Sequence, residues 1–172
     1  LEHSTIALNF GAELRSALRG KPRQPYESNL RVLTPESRRY VYPDLSVICG
    51  PAEFDPADEQ RHTAINPTVV VEVLSPSTEQ YDRTAKFDRY REIGTLREYV
   101  LVAQEQPRVE TFRRGEDGAW RFDVAVGLHA TVRLGSIGVE IRLAEIYDRI
   151  TFPPPEPEPE PESKPGEGTK GA

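Results

Sequence analysis

The sequence is poor in the features that mark several protein classes. It holds one cysteine, Cys49, in 172 residues. A single thiol forms no internal disulfide and builds no cysteine-rich zinc site. No apolar run approaches the roughly 18 residues that would span a bilayer. No charged-then-apolar leader opens the chain, which argues against export by a cleaved signal. There is no Gly-rich phosphate loop, no G-x-S-x-G element and no internal repeat. An excess of basic charge is also lacking, with 28 acidic against 22 basic side chains and a net charge of −6. That balance excludes a blanket attraction to nucleic acid and leaves any such contact to a local basic patch. These absences fit a soluble protein of a reducing cytoplasm, with no membrane partner.

What is present fits one domain, long enough to bury a real core. Seven of the 16 prolines fall between Pro153 and Pro165, in the closing TFPPPEPEPEPESKPGEGTKGA. Residues 151–172 cannot bury apolar surface and are expected to form an extended, disordered Pro/Glu-rich tail behind a folded body over 1–150. The chain opens directly into LEHSTIALNFGAELRSALRGK, where Ile6, Phe10, Leu14 and Ala17 or Leu18 recur at helical spacing until Gly20 and Pro22. A domain that begins inside its first helix suggests a missing N-terminal segment.

Extended stretches follow at Asn29–Thr34 and Tyr40–Cys49. Gly50–Pro67, rich in Asp, Glu and Pro, reads as a long surface loop. Thr68–Leu74 (TVVVEVL) is β-branched and almost wholly apolar, the pattern of a central buried strand. Ser77 with Gln80 predicts a capping box for a helix over 79–93, which Gly94 ends. Tyr99–Ala103 is a second buried strand. Arg108–Arg113 and Ala119–Val124 alternate like a hairpin. Val139–Leu143 predicts a last strand and Leu143–Ile150 a short helix. The expected fold is α/β or α+β, a mixed sheet flanked by helices.

The most informative residue is Glu72, mid-strand among Val69, Val70, Val71, Val73 and Leu74. An unpaired buried carboxylate is costly, so a metal, a base or a hydrogen-bond network must compensate. Asp44, between Pro43 and an apolar run, poses the same question. If their strands are neighbours, the two acids make an oxygen site suited to Mg²⁺. Asp82, Lys86 and Tyr90 fall four apart on one helix face, flanked by Arg83 and Arg89. Plain alternatives stand beside each reading. Asp after Pro often caps a turn, a strand Glu often pairs with Arg, and Asp82–Lys86 is an ordinary helix pair. Cys49 reads as core, His62 and His129 lack paired metal-ligand spacing, and Trp120 reads as packing. Arg83, Lys86, Arg89 and Arg91 suit phosphates or a solvated face equally.

The segments YPDLSVICG, NPTVVVEVLSPST and YDRTAKFDRYREIGTLREYVLV, in that order, resemble the bacterial Uma-type restriction endonucleases of the PD-(D/E)XK nuclease superfamily. LEHSTIALNF is similar to that family's first-helix segment. The resemblance spans about residues 2–150. It implies a restriction-endonuclease-like core and Mg²⁺-dependent cleavage of DNA, with Mn²⁺ as a substitute metal. Carried over, Asp44 is the Asp of the Pro-Asp element and Glu72 the second acid, both metal ligands.

Two departures stand out. The superfamily pattern wants a lysine two residues after the second acid, and Leu74 stands there; Lys86 is the expected substitute, completing a catalytic set of Asp44, Glu72 and Lys86. Relatives also carry an N-terminal segment before the Glu-His of the first helix. Glu2, His3 and Glu13 are the remaining candidates near the site, with His3 more in keeping with a surface residue. A module that keeps the nuclease fold but binds nucleic acid or protein without cleavage is the alternative function. A hydrolase of another phosphoester shares the same residues. A homodimer is expected only by analogy with endonucleases that cut two strands.

Overall fold

A strand made of four valines and one glutamate has no polar face to offer water, so both of its faces must be covered. In the computed structural model, which describes residues 1–152, Val69–Val73 is buried along its whole length. Numbered in chain order, the strands are β1 (Arg23–Glu27), β2 (Arg31–Thr34), β3 (Arg39–Val41), β4 (Leu45–Cys49), β5 (Thr63–Ala64), β6 (Val69–Val73), β7 (Glu98–Val102), β8 (Arg108–Arg114), β9 (Trp120–Val126), β10 (Thr131–Leu134) and β11 (Val139–Arg142). The main sheet runs β1-β4-β6-β7-β8-β9. Only the β6–β7 pair in it is parallel. Their connection is therefore a crossover, and it carries the helix.

The period-two alternation of β6 divides the core. Val69, Val71 and Val73 face helix α1 (Glu2–Ala17), which contributes Ile6, Phe10 and Leu14 at intervals of four. The β10–β11 hairpin and short helix α4 (Leu143–Ile146) close the same side. Gly11 lets α1 lie close on β4, since a Cβ there would stand 3.2 Å from Leu45 Cδ2. Val70 and Leu74 face the opposite side, against Tyr90, Ile93 and Leu96 of the crossover. Glu72 lies between Val70 and Leu74 and shares that side.

The hairpin is tied down by a buried carboxylate. Glu98 is wholly inaccessible, yet Arg113 Nε, Gly135 N, Ser136 N and Ser136 Oγ all donate to it. The 50–67 loop is likewise fixed rather than purely superficial. Asp58 accepts from Thr63 Oγ1, Arg31 and His62 N, which lowers its carboxyl to about 2.

Several expectations are corrected. Strands β10 and β11 form a separate two-stranded sheet, and β3-β2-β5 a three-stranded one, so the strands do not share a single sheet. The stretch from Tyr40 to Cys49 is broken at Tyr42–Asp44, where Pro43 has no N–H for a ladder. β1 has no clean alternation, and β5 and β10 are too short to stand out, so none of them is predicted as a strand from the sequence. The expected capping box does not form, because Ser77 Oγ bonds Ser75 Oγ and Thr78 is the residue that precedes the helix. The Pro/Glu-rich stretch from Pro153 onward lies outside the described residues.

Glu98→Ala leaves the Gly135 and Ser136 N–H groups without their acceptor. It is expected to cost roughly 2–4 kcal/mol in urea denaturation; a loss under 0.5 kcal/mol would show that the carboxylate does not hold the hairpin.

Candidate functional site

β4 and β6 are antiparallel neighbours, with Leu45 opposite Val71 and Ser46 opposite Val70. Continuing that register by one residue sets Asp44 across from Glu72. Asp44 Oδ2 accepts a 2.8 Å hydrogen bond from Val73 N, which ties the Pro43–Asp44 turn to the end of β6. His3 Nε2, from the first turn of α1, stands 3.3 Å from the same oxygen. Asp44 keeps partial access to solvent while Glu72 is buried.

The crossover helix supplies the rest. It is three segments in one rod: α2 (Glu79–Tyr81), a π-helical turn (Asp82–Lys86) and α3 (Phe87–Arg91). In an unbroken α-helix, each four-residue step overshoots a full turn by about 40°, so Asp82 and Tyr90 would diverge by about 80°. The wider π turn takes back part of that advance. Tyr99 Oη donates to the Asp82 carbonyl at 2.9 Å and fixes this turn to β7.

All three side chains consequently reach one place. Lys86 Nζ is 2.7 Å from Glu72 Oε2 and 3.2 Å from Asp82 Oδ1. Tyr90 Oη donates to Glu72 Oε1 at 2.9 Å. Asp82 Oδ1 is buried and makes no well-directed hydrogen bond, so its contact with Lys86 is one of charge. Burial pushes the Glu72 carboxyl up to about 8 even though Lys86 and Tyr90 favour its ionised form, and the nearby Asp44 adds to the rise. Burial works against the Lys86 charge, but Glu72 and Asp82 outweigh it and raise its pKa. Burial and Glu72 keep the Tyr90 hydroxyl protonated, hence a donor.

The donor set fits a hard divalent cation. Asp44 and Glu72 offer carboxylate oxygens, and both protein contacts of Asp44 go to Oδ2. Among the described residues, no three His, Cys, Asp or Glu side chains gather as a metal-binding group. Two carboxylates completed by water are the usual protein share for Mg²⁺. Without a metal, burial keeps a proton on Glu72 up to about 8, and a cation held there would displace that proton and offset the carboxylate charge.

Other candidates sit elsewhere. Glu13 lies ten residues along α1 from His3, about 15 Å by helix rise. Glu2 is exposed against the chain's amino group. Arg83 is committed to Glu79 and Glu110, Arg89 to Tyr81 and Arg91 to Asp88. Cys49 packs against the core, and Trp120 packs edge-on at Phe87. His62 and His129 are exposed. Sequence reasoning undervalued His3 and Tyr90: spacing placed Tyr90 on the right face, but nothing in the sequence points His3 at Asp44.

Three comparisons bear on this arrangement. A family model described as "Putative restriction endonuclease" (Uma2) matches residues 1–144. Two uncharacterized proteins of Synechocystis sp. are similar: slr1290 is 33% identical over 87% of this chain and 76% of its own length, and sll1609 is 31% identical over 76% and 72%. The crystal structure of a putative nuclease belonging to DUF820 from Anabaena variabilis superposes with a TM-score of 0.69 at 18% identity, covering 86% of this chain and 80% of that one. The fold is thus shared with that protein, and the two acids and the lysine lie within the matched residues. With that match over most of its length, the chain belongs to the Uma2 family of restriction-endonuclease-type proteins.

Proposed function

We propose that this protein is a Mg²⁺-dependent DNA endonuclease in which Asp44 and Glu72 hold the metal and Lys86 assists. The observation that carries this reading is the meeting of Lys86 with Glu72 beside the Asp44–Val73 contact. When bound, Mg²⁺ would activate water and neutralise charge on the phosphodiester. Lys86 acts as a donor, because its carboxylate neighbours keep it charged. It orients the attacking water or steadies charge on the phosphate oxygens. Asp82 holds the lysine ammonium in place, and Tyr90 fixes the Glu72 carboxyl group. His3 steadies Asp44. Leu74, buried in the position where the superfamily pattern has lysine, is the observation that favours the second reading, a module that binds without cutting.

On supercoiled plasmid with Mg²⁺ or Mn²⁺, cleavage is expected that stops in EDTA, in Asp44→Asn and in Glu72→Gln. Lys86→Ala should lower the rate on the order of 100-fold. DNA binding that persists in EDTA, without cleavage and unchanged in Glu72→Gln, would replace the nuclease by the binding module.

Protonation gives a second test. Glu72 moves from an ordinary 4.5 to about 8 on folding, so between those values the metal-free folded state holds a proton that the unfolded chain has released. Stability contributed by that proton is present at low pH and is lost as pH rises toward 8. In EDTA, the melting temperature of the wild type should therefore fall more steeply from pH 5 to about 8 than that of Glu72→Gln, whose amide does not titrate. Parallel slopes would mean that Glu72 is not held in this environment.

A further inference from the structure

Among the described residues, β9 is an outer strand of the main sheet, and one row of its backbone groups has no strand beside it. The ladder with β8 shows which row. Gly115 N donates to Ala119 O and Gly127 N to Pro107 O at the two ends of the hairpin, so odd-numbered residues of β9 turn their backbone groups toward β8. Trp120, Phe122, Val124 and Val126 turn theirs outward. The same segment exposes Phe122, Val124, Val126 and Leu128, at 54%, 39%, 57% and 41%. No proline or bulge interrupts it, and it carries no lysine to guard the edge.

We propose that β9 is the contact strand of a homodimer, pairing antiparallel with β9 of a second copy about a two-fold axis at Phe122. Charge selects this register. Centring on Arg121 or on Asp123 sets each of these residues opposite its own twin, which like charges disfavour. Centring on Phe122 sets Arg121 opposite the partner's Asp123, twice by symmetry. It also makes Phe122 with the partner's Phe122, and Trp120 with the partner's Val124, hydrogen-bonded pairs, as their outward backbone groups require. Arg121 and Asp123 then form non-hydrogen-bonded pairs, where side chains approach more closely. In the single chain, Asp123 Oδ1 takes the outward Val124 N–H at 2.9 Å. Pairing returns that N–H to a strand partner and frees the carboxylate for the partner's Arg121. Arg121 meets Asp117 through its two terminal nitrogens, which leaves Nε for the new contact. This interface is independent of the nuclease reading.

Sedimentation of the full chain tests it, with melting curves to confirm that each variant is folded. The wild type should sediment as a dimer of the 19.4 kDa chain. Arg121→Asp and Asp123→Arg should each weaken the dimer by about tenfold or more, since two attractive cross-strand pairs become two repulsive ones. An equimolar mixture of the two folded variants should re-form a dimer, because each then meets the opposite charge. A wild type that stays monomeric, a dimer indifferent to both substitutions, or variants that do not re-associate on mixing would overturn the proposal.

Discussion

The contact between Lys86 and the buried carboxylate of Glu72 governs the arrangement of the site. A valine strand covered on both faces is the place where a carboxylate is hardest to keep ionised. The chain keeps it there by bringing a lysine and a tyrosine from one helix onto its two oxygens. Their fit depends on the π turn, which gathers Asp82, Lys86 and Tyr90 on one stripe. The π turn is held by Tyr99, whose hydroxyl donates to the Asp82 carbonyl. Strand, crossover and site are thus one mechanical unit.

The same unit explains how Leu74 is tolerated where a lysine is expected. A residue two after Glu72 points to the same side of the sheet, into the packing of Tyr90, Ile93 and Leu96. An apolar side chain serves that core, and the ammonium arrives from the helix above it. The positive charge therefore reaches Glu72 from the crossover helix rather than from β6. Asp82 adds a second acid beside Lys86, near the partly exposed Asp44. Keeping Glu72 buried costs stability, which its proton relieves when no cation is present.

Much of this was legible in the sequence because the physics involved is local. The valine run fixed β6 as central, Gly20 and Pro22 stopped α1, and the i, i+4 spacing put Lys86 with Asp82 and Tyr90. The placement of Asp44 across from Glu72 required only that two apolar strands be neighbours. What escaped depends on distant partners. β1 gains its strand character from pairing with β4 rather than from its own alternation, and β10, only four residues long, is secured by pairing with β11. His3 acquires a role only when α1 docks beside the Pro43–Asp44 turn. The π turn has no sequence signature and follows from the demand that one helix reach Glu72 twice.

The central claim is that Asp44 and Glu72 form one cation site. Titrating Mn²⁺ into the metal-free protein by calorimetry tests it without reference to any substrate. The account predicts a binding isotherm for the wild type that disappears in both Asp44→Asn and Glu72→Gln. Binding that survives unchanged in either variant would place the metal elsewhere and contradict the account.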